Sequence, residues 1–191
     1  MVMGIDEVGR GCWAGPLVVG AVALAHPIDG LKDSKKLTKK RREELSALVL
    51  NQAAATGLGW VTAEEIDSLG LTRSTGLAVE RALAQIKIDF DEIIIDGNTN
   101  FLPKDPRAKA VIKADNSVAA VSAASIIAKV ARDACMVQAA LSYPGYGFES
   151  HVGYGTVQHI DALKRMGVCK LHRRSYKPIQ QILSFAEKPE I

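Results

Sequence analysis

Four acidic side chains, Asp6, Glu7, Asp96 and Asp115, stand at the ends of short apolar runs. Asp6 and Glu7 close a run that begins at Val2. Asp96 follows Ile93-Ile94-Ile95, and Asp115 follows Val111-Ile112. Carboxylates that converge at one edge of a sheet repel one another strongly unless a cation lies among them. A donor set made only of oxygen suits Mg2+ or Mn2+. Two such ions can clamp an in-line phosphoryl displacement. Each acid also has a plainer reading. Asp6 and Glu7 fit a surface strand end, Asp96 before Gly97 fits a turn, and Asp115 fits a cap for a helix starting near Ser117. Asp6 and Glu7 are chain neighbours, so they share a site only if the strand ends or twists there. Gly9 and Gly11 follow closely enough to allow that.

The elements that would position these acids are legible from pattern. Val2–Val8 and Leu17–Leu24 read as strands, the second buried. Thr38 caps a helix over Lys39–Leu50. Gly57–Val61 suits a third strand, and Thr62-Ala63-Glu64-Glu65 has capping-box spacing. Thr72–Ile86 has helical periodicity. Asp91–Gly97 is a β-branched strand ending in a turn, and Ala108–Lys113 suits another. Ser117–Leu141 is apolar nearly all round, as a buried helix is. Strands followed by helices alternating with strands give an α/β class, a mixed β-sheet flanked by helices. No linker or repeat divides residues 1–191, so a single domain is expected, with a small helical C-terminal extension over about 142–191.

Composition narrows the function classes. No apolar run is long enough for a membrane span, and the N-terminus has no signal-peptide pattern, so a cytoplasmic protein is expected. The cysteines, Cys12, Cys135 and Cys169, are odd in number and widely spaced, which argues against zinc and against a disulfide framework. Net charge is only +3, but the basic residues cluster. One group is Lys32, Lys35, Lys36, Lys39, Lys40, Arg41 and Arg42. The other is Lys164, Arg165, Lys170, Arg173, Arg174 and Lys177. Such clusters suit a polyanionic partner, although a lone cluster is more often a solvated face.

Gly9-Arg10-Gly11 brings a backbone without Cβ atoms and one guanidinium to a turn, which suits a phosphate or sugar. It is not a P-loop. Its company is more informative. Gly4-Ile5-Asp6-Glu7-Val8-Gly9-Arg10-Gly11 is followed by Ala14-Gly15-Pro16, Asp33-Ser34-Lys35-Lys36-Leu37, Ile95-Asp96-Gly97-Asn98 and Lys113-Ala114-Asp115. Ser122–Val130, Arg132-Asp133, Gly153-Tyr154-Gly155-Thr156 and His172-Arg173-Arg174-Ser175-Tyr176 complete the order. The series, from residue 4 to about 178, closely resembles type 2 ribonuclease H, ribonuclease HII. It departs from the family at Cys12-Trp13, where Pro-Leu is usual.

The resemblance implies a ribonuclease H-like fold and an endonuclease that hydrolyses the RNA strand of RNA–DNA hybrids. It implies cutting on the 5′ side of single ribonucleotides in duplex DNA, by a two-metal-ion mechanism leaving a 3′-OH and a 5′-phosphate. Asp6, Glu7, Asp96 and Asp115 would bind Mn2+ or Mg2+, with two ions expected. Gly9, Arg10, Gly11 and Tyr154 would read the junction between a ribonucleotide and the next deoxyribonucleotide. The 2′-OH distinguishes the two sugars, and an aromatic ring packs best where it is missing. Ser34, Lys35, Lys36, Arg173 and Arg174 would contact phosphates, which fix register and carry little sequence information. A monomer is expected. The chain starts almost at its first acidic strand, which argues against type 3 enzymes and their extra N-terminal domain. A binding protein without catalysis is disfavoured by the complete acid set. A same-fold nuclease acting on DNA junctions is disfavoured by Gly9-Arg10-Gly11 and Tyr154.

Overall fold

The computed structural model describes residues 1–31 and 37–186. Its contacts divide the chain into two compact units, each built from three stretches. The first takes Met1–Val8, Val18–Trp60 and Thr75–Ala131. The second takes Gly9–Leu17, Val61–Ser74 and Arg132–Ile191. The segment expected as a C-terminal extension lies in the second unit, which also draws in two earlier stretches.

The first unit is built on a five-stranded mixed sheet in the order β3-β2-β1-β4-β5. β1 is Val2–Val8, β2 Leu17–Ala23, β3 Ala55–Val61, β4 Glu92–Asp96 and β5 Ala108–Val111. β1 runs antiparallel to β2, pairing Met3 with Ala23 through Val8 with Val18. It runs parallel to β4, pairing Val2 with Glu92 through Ile5 with Ile95. β5 is parallel to β4. Every residue of β2 is buried, which is why its sequence is a continuous apolar run rather than an alternation.

Helix α1 (Lys39–Gln52) is capped by the Thr38 hydroxyl, which accepts from Arg41 N–H. α2 (Ala63–Leu69) starts with the expected capping box, Thr62 and Glu65 satisfying each other's backbone N–H. α3 (Leu71–Leu83) ends three residues short of the expected Ile86. α4 (Ala119–Ser142) is the long apolar helix. Val22, Val49, Ala123, Ala124 and Ile127 join β2, α1 and α4 in one core cluster.

Two glycines let α4 lie directly on the sheet. A Cβ on Gly4 would come 2.1 Å from the Ala120 carbonyl carbon, and one on Gly20 would come 2.3 Å from the Ala124 carbonyl oxygen. The obstructing atoms are backbone, so no rotamer change relieves the overlap. Gly20→Val is expected to cost about 3 kcal/mol through overpacking. A urea midpoint equal to that of the parent protein would contradict this packing.

β5 stops at Val111, two residues before the expected end. Lys113 adopts a left-handed conformation, φ 58°, and opens a single 3-10 turn over Ala114–Asn116. Ala114 packs with Ile94 and Val121.

The second unit contains α5 (Phe148–His151), α6 (Val157–Met166) and α7 (Lys177–Ala186). Its core gathers Ala14, Met136, Tyr146, Phe148, Ala162, Leu163 and Ile179. Two arginines, Arg132 and Arg173, are fully buried there, at 0% exposure. No helix among the described residues is long and apolar enough to cross a membrane.

Candidate active site

Asp6 and Asp96 leave adjacent parallel strands side by side. Ile5 pairs with Ile95, and the next residue on each strand is an aspartate. The Asp6 carboxylate is buried, accepting the Glu7 N–H at 2.8 Å and a hydrogen bond from Ser125 on α4. Burial pushes its pKa up to about 8. The charges of Glu7 and Asp96 add to the rise, and the Ser125 and Glu7 hydrogen bonds oppose it. Asp96 Oδ1 accepts the Ala114 N–H at 2.7 Å. That bond folds the turn carrying Asp115 against the end of β4. Asp115 is buried, and its Oδ1 accepts from Asn116 Nδ2 at 2.9 Å. Asp115 lies inside the 3-10 turn, not next to Ala119 where α4 begins.

Glu7 stands differently. β1 continues through Val8, still paired with β2. The strand does not end between the two acids. The Glu7 charge is nonetheless close enough to act on Asp6.

This donor set fits a hard divalent cation. Its oxygens are carboxylate oxygens, and a buried acid is destabilised in its charged form by two further acids. The side chains are not gathered about one point: among the described residues, no group of three or more His, Cys, Asp or Glu is spaced to hold a metal. Asp96 and Asp115 are instead engaged by Ala114 and Asn116.

The second unit brings Tyr154 to the Gly9-Arg10-Gly11 segment. Trp13 N–H and Ala14 N–H both donate to Gly153 O, at 2.8 and 3.3 Å. Gly9 has φ 92°, and a Cβ there would lie 2.3 Å from Arg132 Nε, so the position demands glycine twice over. Gly11 faces open space, with nothing within 4 Å of a Cβ built on it. Tyr154 is 41% exposed. Burial of its hydroxyl end raises its pKa, helped by Cys12, whose side chain hydrogen-bonds to it. The Cys12-Trp13 departure is thus absorbed. Cys12 is buried, and Trp13 lies over Gly155, where a Cβ would meet the indole ring at 2.2 Å.

The basic residues divide. Ser34, Lys35 and Lys36 lie outside the described residues. Arg174 is exposed, and its N–H donates to Asp67 at 2.8 Å. Arg173 corrects the expectation of a phosphate contact. Its guanidinium donates from Nε and Nη2 to Gly15 O and from Nη1 to Arg10 O and the Tyr176 hydroxyl, at 2.8 to 3.1 Å. Being fully buried, it braces the turn from beneath and presents nothing to a phosphate. The Tyr176 hydroxyl also donates to Arg10 O, at 2.6 Å.

Arg132 has the same kind of role and was not singled out from sequence. It donates to Pro16 O at 2.8 Å, Val152 O at 2.9 Å and Ala14 O at 3.1 Å. The available signals were its place in the Arg132-Asp133 pair and its position within a mostly apolar helix. Ser125, the hydrogen-bond partner of Asp6, was visible only as part of a motif.

A sequence model of the family described as Ribonuclease HII matches residues 3–179. The Ribonuclease HII of Nitrosococcus oceani is 47% identical over 184 residues, covering 95% of this chain and 91% of that protein. The crystal structure of the ribonuclease H2 from Pyrococcus horikoshii OT3 superposes with a TM-score of 0.83 at 28% identity, covering 98% of this chain and 99% of that one. The crystal structure of Bst-RNase HIII in complex with Mn2+ shares the fold, with a TM-score of 0.73 at 21% identity over 97% of this chain and 70% of that one.

Proposed function

Because the chain belongs to the ribonuclease HII family, and so is a nuclease acting on RNA in hybrids with DNA, we propose that it also cuts on the 5′ side of a single ribonucleotide embedded in duplex DNA. The products are a 3′-OH and a 5′-phosphate, and two divalent ions, Mg2+ or Mn2+, serve the reaction. The observation that carries the catalytic part is the placement of Asp6 and Asp96 side by side on adjacent parallel strands, with the Asp6 carboxyl buried and its pKa raised by that burial first and by the charges of Glu7 and Asp96 second. Asp6 and Asp96 are the main ligands, and Glu7 and Asp115 complete the set. When bound, the ions supply Lewis-acid charge that favours attack on the phosphate and stabilises the departing oxygen.

The chain's own groups do the remaining work. The Ser125 and Glu7 hydrogen bonds hold the Asp6 carboxylate in one orientation, and the Ala114 N–H does the same for Asp96. Gly11, open above its backbone, admits a ribose 2′-OH to hydrogen-bonding distance of main-chain groups. The half-exposed Tyr154 ring packs on the following sugar, where a 2′-OH would crowd it. Arg10, Ser34, Lys35, Lys36 and Arg174 contact phosphates without reading sequence. The protein works as a monomer in the cytoplasm, where Cys12, Cys135 and Cys169 stay reduced.

The test is cleavage of a labelled DNA duplex carrying one ribonucleotide, with Mg2+, with Mn2+ and with EDTA. The expected result is a metal-dependent cut immediately 5′ of the ribonucleotide. Cleavage of a long hybrid without cleavage of this substrate would discard the roles given to Gly9, Gly11 and Tyr154.

A further inference from the structure

Three histidines of the second unit, His151, His159 and His172, are buried together, and the reaction above uses none of them. His151 and His159 stack at 4.4 Å between ring centroids. His159 Nε2 and His172 Nε2 are 3.0 Å apart, which requires a proton on one and a lone pair on the other. The remaining nitrogens decide which. His159 Nδ1 lies 2.9 Å from Tyr154 O. A carbonyl only accepts, so His159 carries its proton on Nδ1 and offers a lone pair at Nε2. His172 must then donate from Nε2 and accept at Nδ1, where the Cys169 N–H arrives at 2.9 Å. The opposite assignment would set a bare Nδ1 of His159 against Tyr154 O. His151 is fixed separately: Gly153 N–H donates to its Nδ1 at 3.1 Å, leaving Nε2–H for Tyr146 O at 2.8 Å. One proton arrangement therefore pairs every ring nitrogen, with all three rings neutral; it leaves the bare His172 Nδ1 3.3 Å from Cys169 O, a longer contact than the 2.9 Å one that the opposite arrangement would leave between His159 Nδ1 and Tyr154 O. Burial is the main reason that His159 and His172 have pKa values lowered to about 4, which keeps them neutral under ordinary conditions.

The chain of donors runs from Cys169 N–H through His172 and His159 to the carbonyl of Tyr154. Tyr154 sits between two glycines, Gly153 with φ 88°, so its backbone is held by hydrogen bonds: its N–H donates to His151 O at 2.9 Å, and its carbonyl accepts from Thr156 N–H at 2.8 Å as well as from His159. His172 also forms a β-bridge with Ala14, and Gly15 N–H donates to Leu171 O at 2.8 Å. The relay thus starts beside the stretch that follows Gly9-Arg10-Gly11 and ends on the tyrosine.

We propose that His172 and His159 are positioning residues for Tyr154, and that their fixed proton order sets how sharply the protein distinguishes a ribose–deoxyribose junction from a continuous RNA–DNA hybrid. The proposal rests on the reading of Tyr154 given above. A rigid tyrosine rejects the wrong sugar by steric crowding, and a tyrosine free to swing does not.

Two measurements test it. The first is the imidazole nitrogen NMR spectrum of the unaltered protein at neutral pH. The expected pattern is His159 protonated on Nδ1, with His151 and His172 protonated on Nε2. Any other pattern overturns the relay. The second compares kcat/KM on the single-ribonucleotide duplex with kcat/KM on a continuous hybrid. His159→Leu removes one of the two donors to Tyr154 O, leaving the Thr156 N–H at 2.8 Å, and is expected to lower that ratio about tenfold. His159→Asn keeps an N–H near the Nδ1 position and is expected to hold the ratio within about twofold. Tyr154→Ala supplies the reference. If Tyr154→Ala shifts the ratio and His159→Leu leaves it unchanged, the positioning role is overturned while the reading of Tyr154 stands. If Tyr154→Ala leaves the ratio unchanged, the reading of Tyr154 falls and the specificity role falls with it, whatever the NMR pattern shows.

Discussion

Asp6→Asn is expected to lower hybrid cleavage by about 10³-fold or more, since several kcal/mol of charge stabilisation depend on the metal site. The same change is expected to stabilise the metal-free protein. Burial, with Glu7 and Asp96 beside it, raises the Asp6 carboxyl to about 8 from an ordinary value near 3.8. A group raised in the folded state contributes its stability fully below the unfolded value and loses it as pH climbs through the folded one. In EDTA the parent protein should therefore lose stability between about pH 4 and pH 8, and Asp6→Asn should lack that component. A pKa shift of that size corresponds to on the order of 5 kcal/mol at high pH, or on the order of 10 °C in Tm for a chain of this size. Melting curves at pH 5 and pH 8.5 in EDTA would show the two proteins separating at the higher pH. Mn2+ should raise the Tm of the parent and leave Asp6→Asn nearly unmoved. Parallel pH profiles, or equal responses to Mn2+, would remove Asp6 from the metal site.

Arg132→Met is expected to be the most destabilising change in the second unit. Methionine keeps much of the volume and none of the donors. Pro16 O, Val152 O and Ala14 O would lose their partner inside a fully buried setting. Unsatisfied buried groups of this kind cost about 3–5 kcal/mol together, or on the order of 10 °C in Tm. Arg132→Lys should recover less than half of the loss, because one ammonium does not reproduce the guanidinium fork. Urea unfolding checks both variants, and a midpoint unchanged in Arg132→Met would show that the carbonyls find other partners.

Much of the carboxylate edge was readable because it depends on local pattern. Ile93-Ile94-Ile95 makes a strand wherever it is buried, and an aspartate next to it must lie at that strand's end. The limits of β5 were not readable. Its last residues yield to a turn set by the Asp96–Ala114 hydrogen bond, between positions far apart in sequence. The relation of Glu7 to Asp6 depended on whether β1 ended at Gly9's approach, and pairing with β2 carries it on to Val8. Arg173 was misread for a general reason. An arginine turned toward backbone carbonyls and one turned toward a phosphate look alike in sequence, since carbonyl acceptors belong to every residue. The histidine relay was invisible for the same reason. His159 and His172 meet only after α6 and the loop behind it have folded.

The interleaving of the two units also bears on how the protein is made and how its gene can change. Each unit consists of three stretches alternating with those of the other, so no single cut or crossover yields either one intact. On the ribosome, the first unit waits for residue 131, and the brace under Gly15 waits for Arg173. Until then the early segments must remain unaggregated without their final partners. Contacts this distant in sequence slow folding, which makes translation speed and chaperone access near the 3′ end of the message a sensitive point for the yield of active protein.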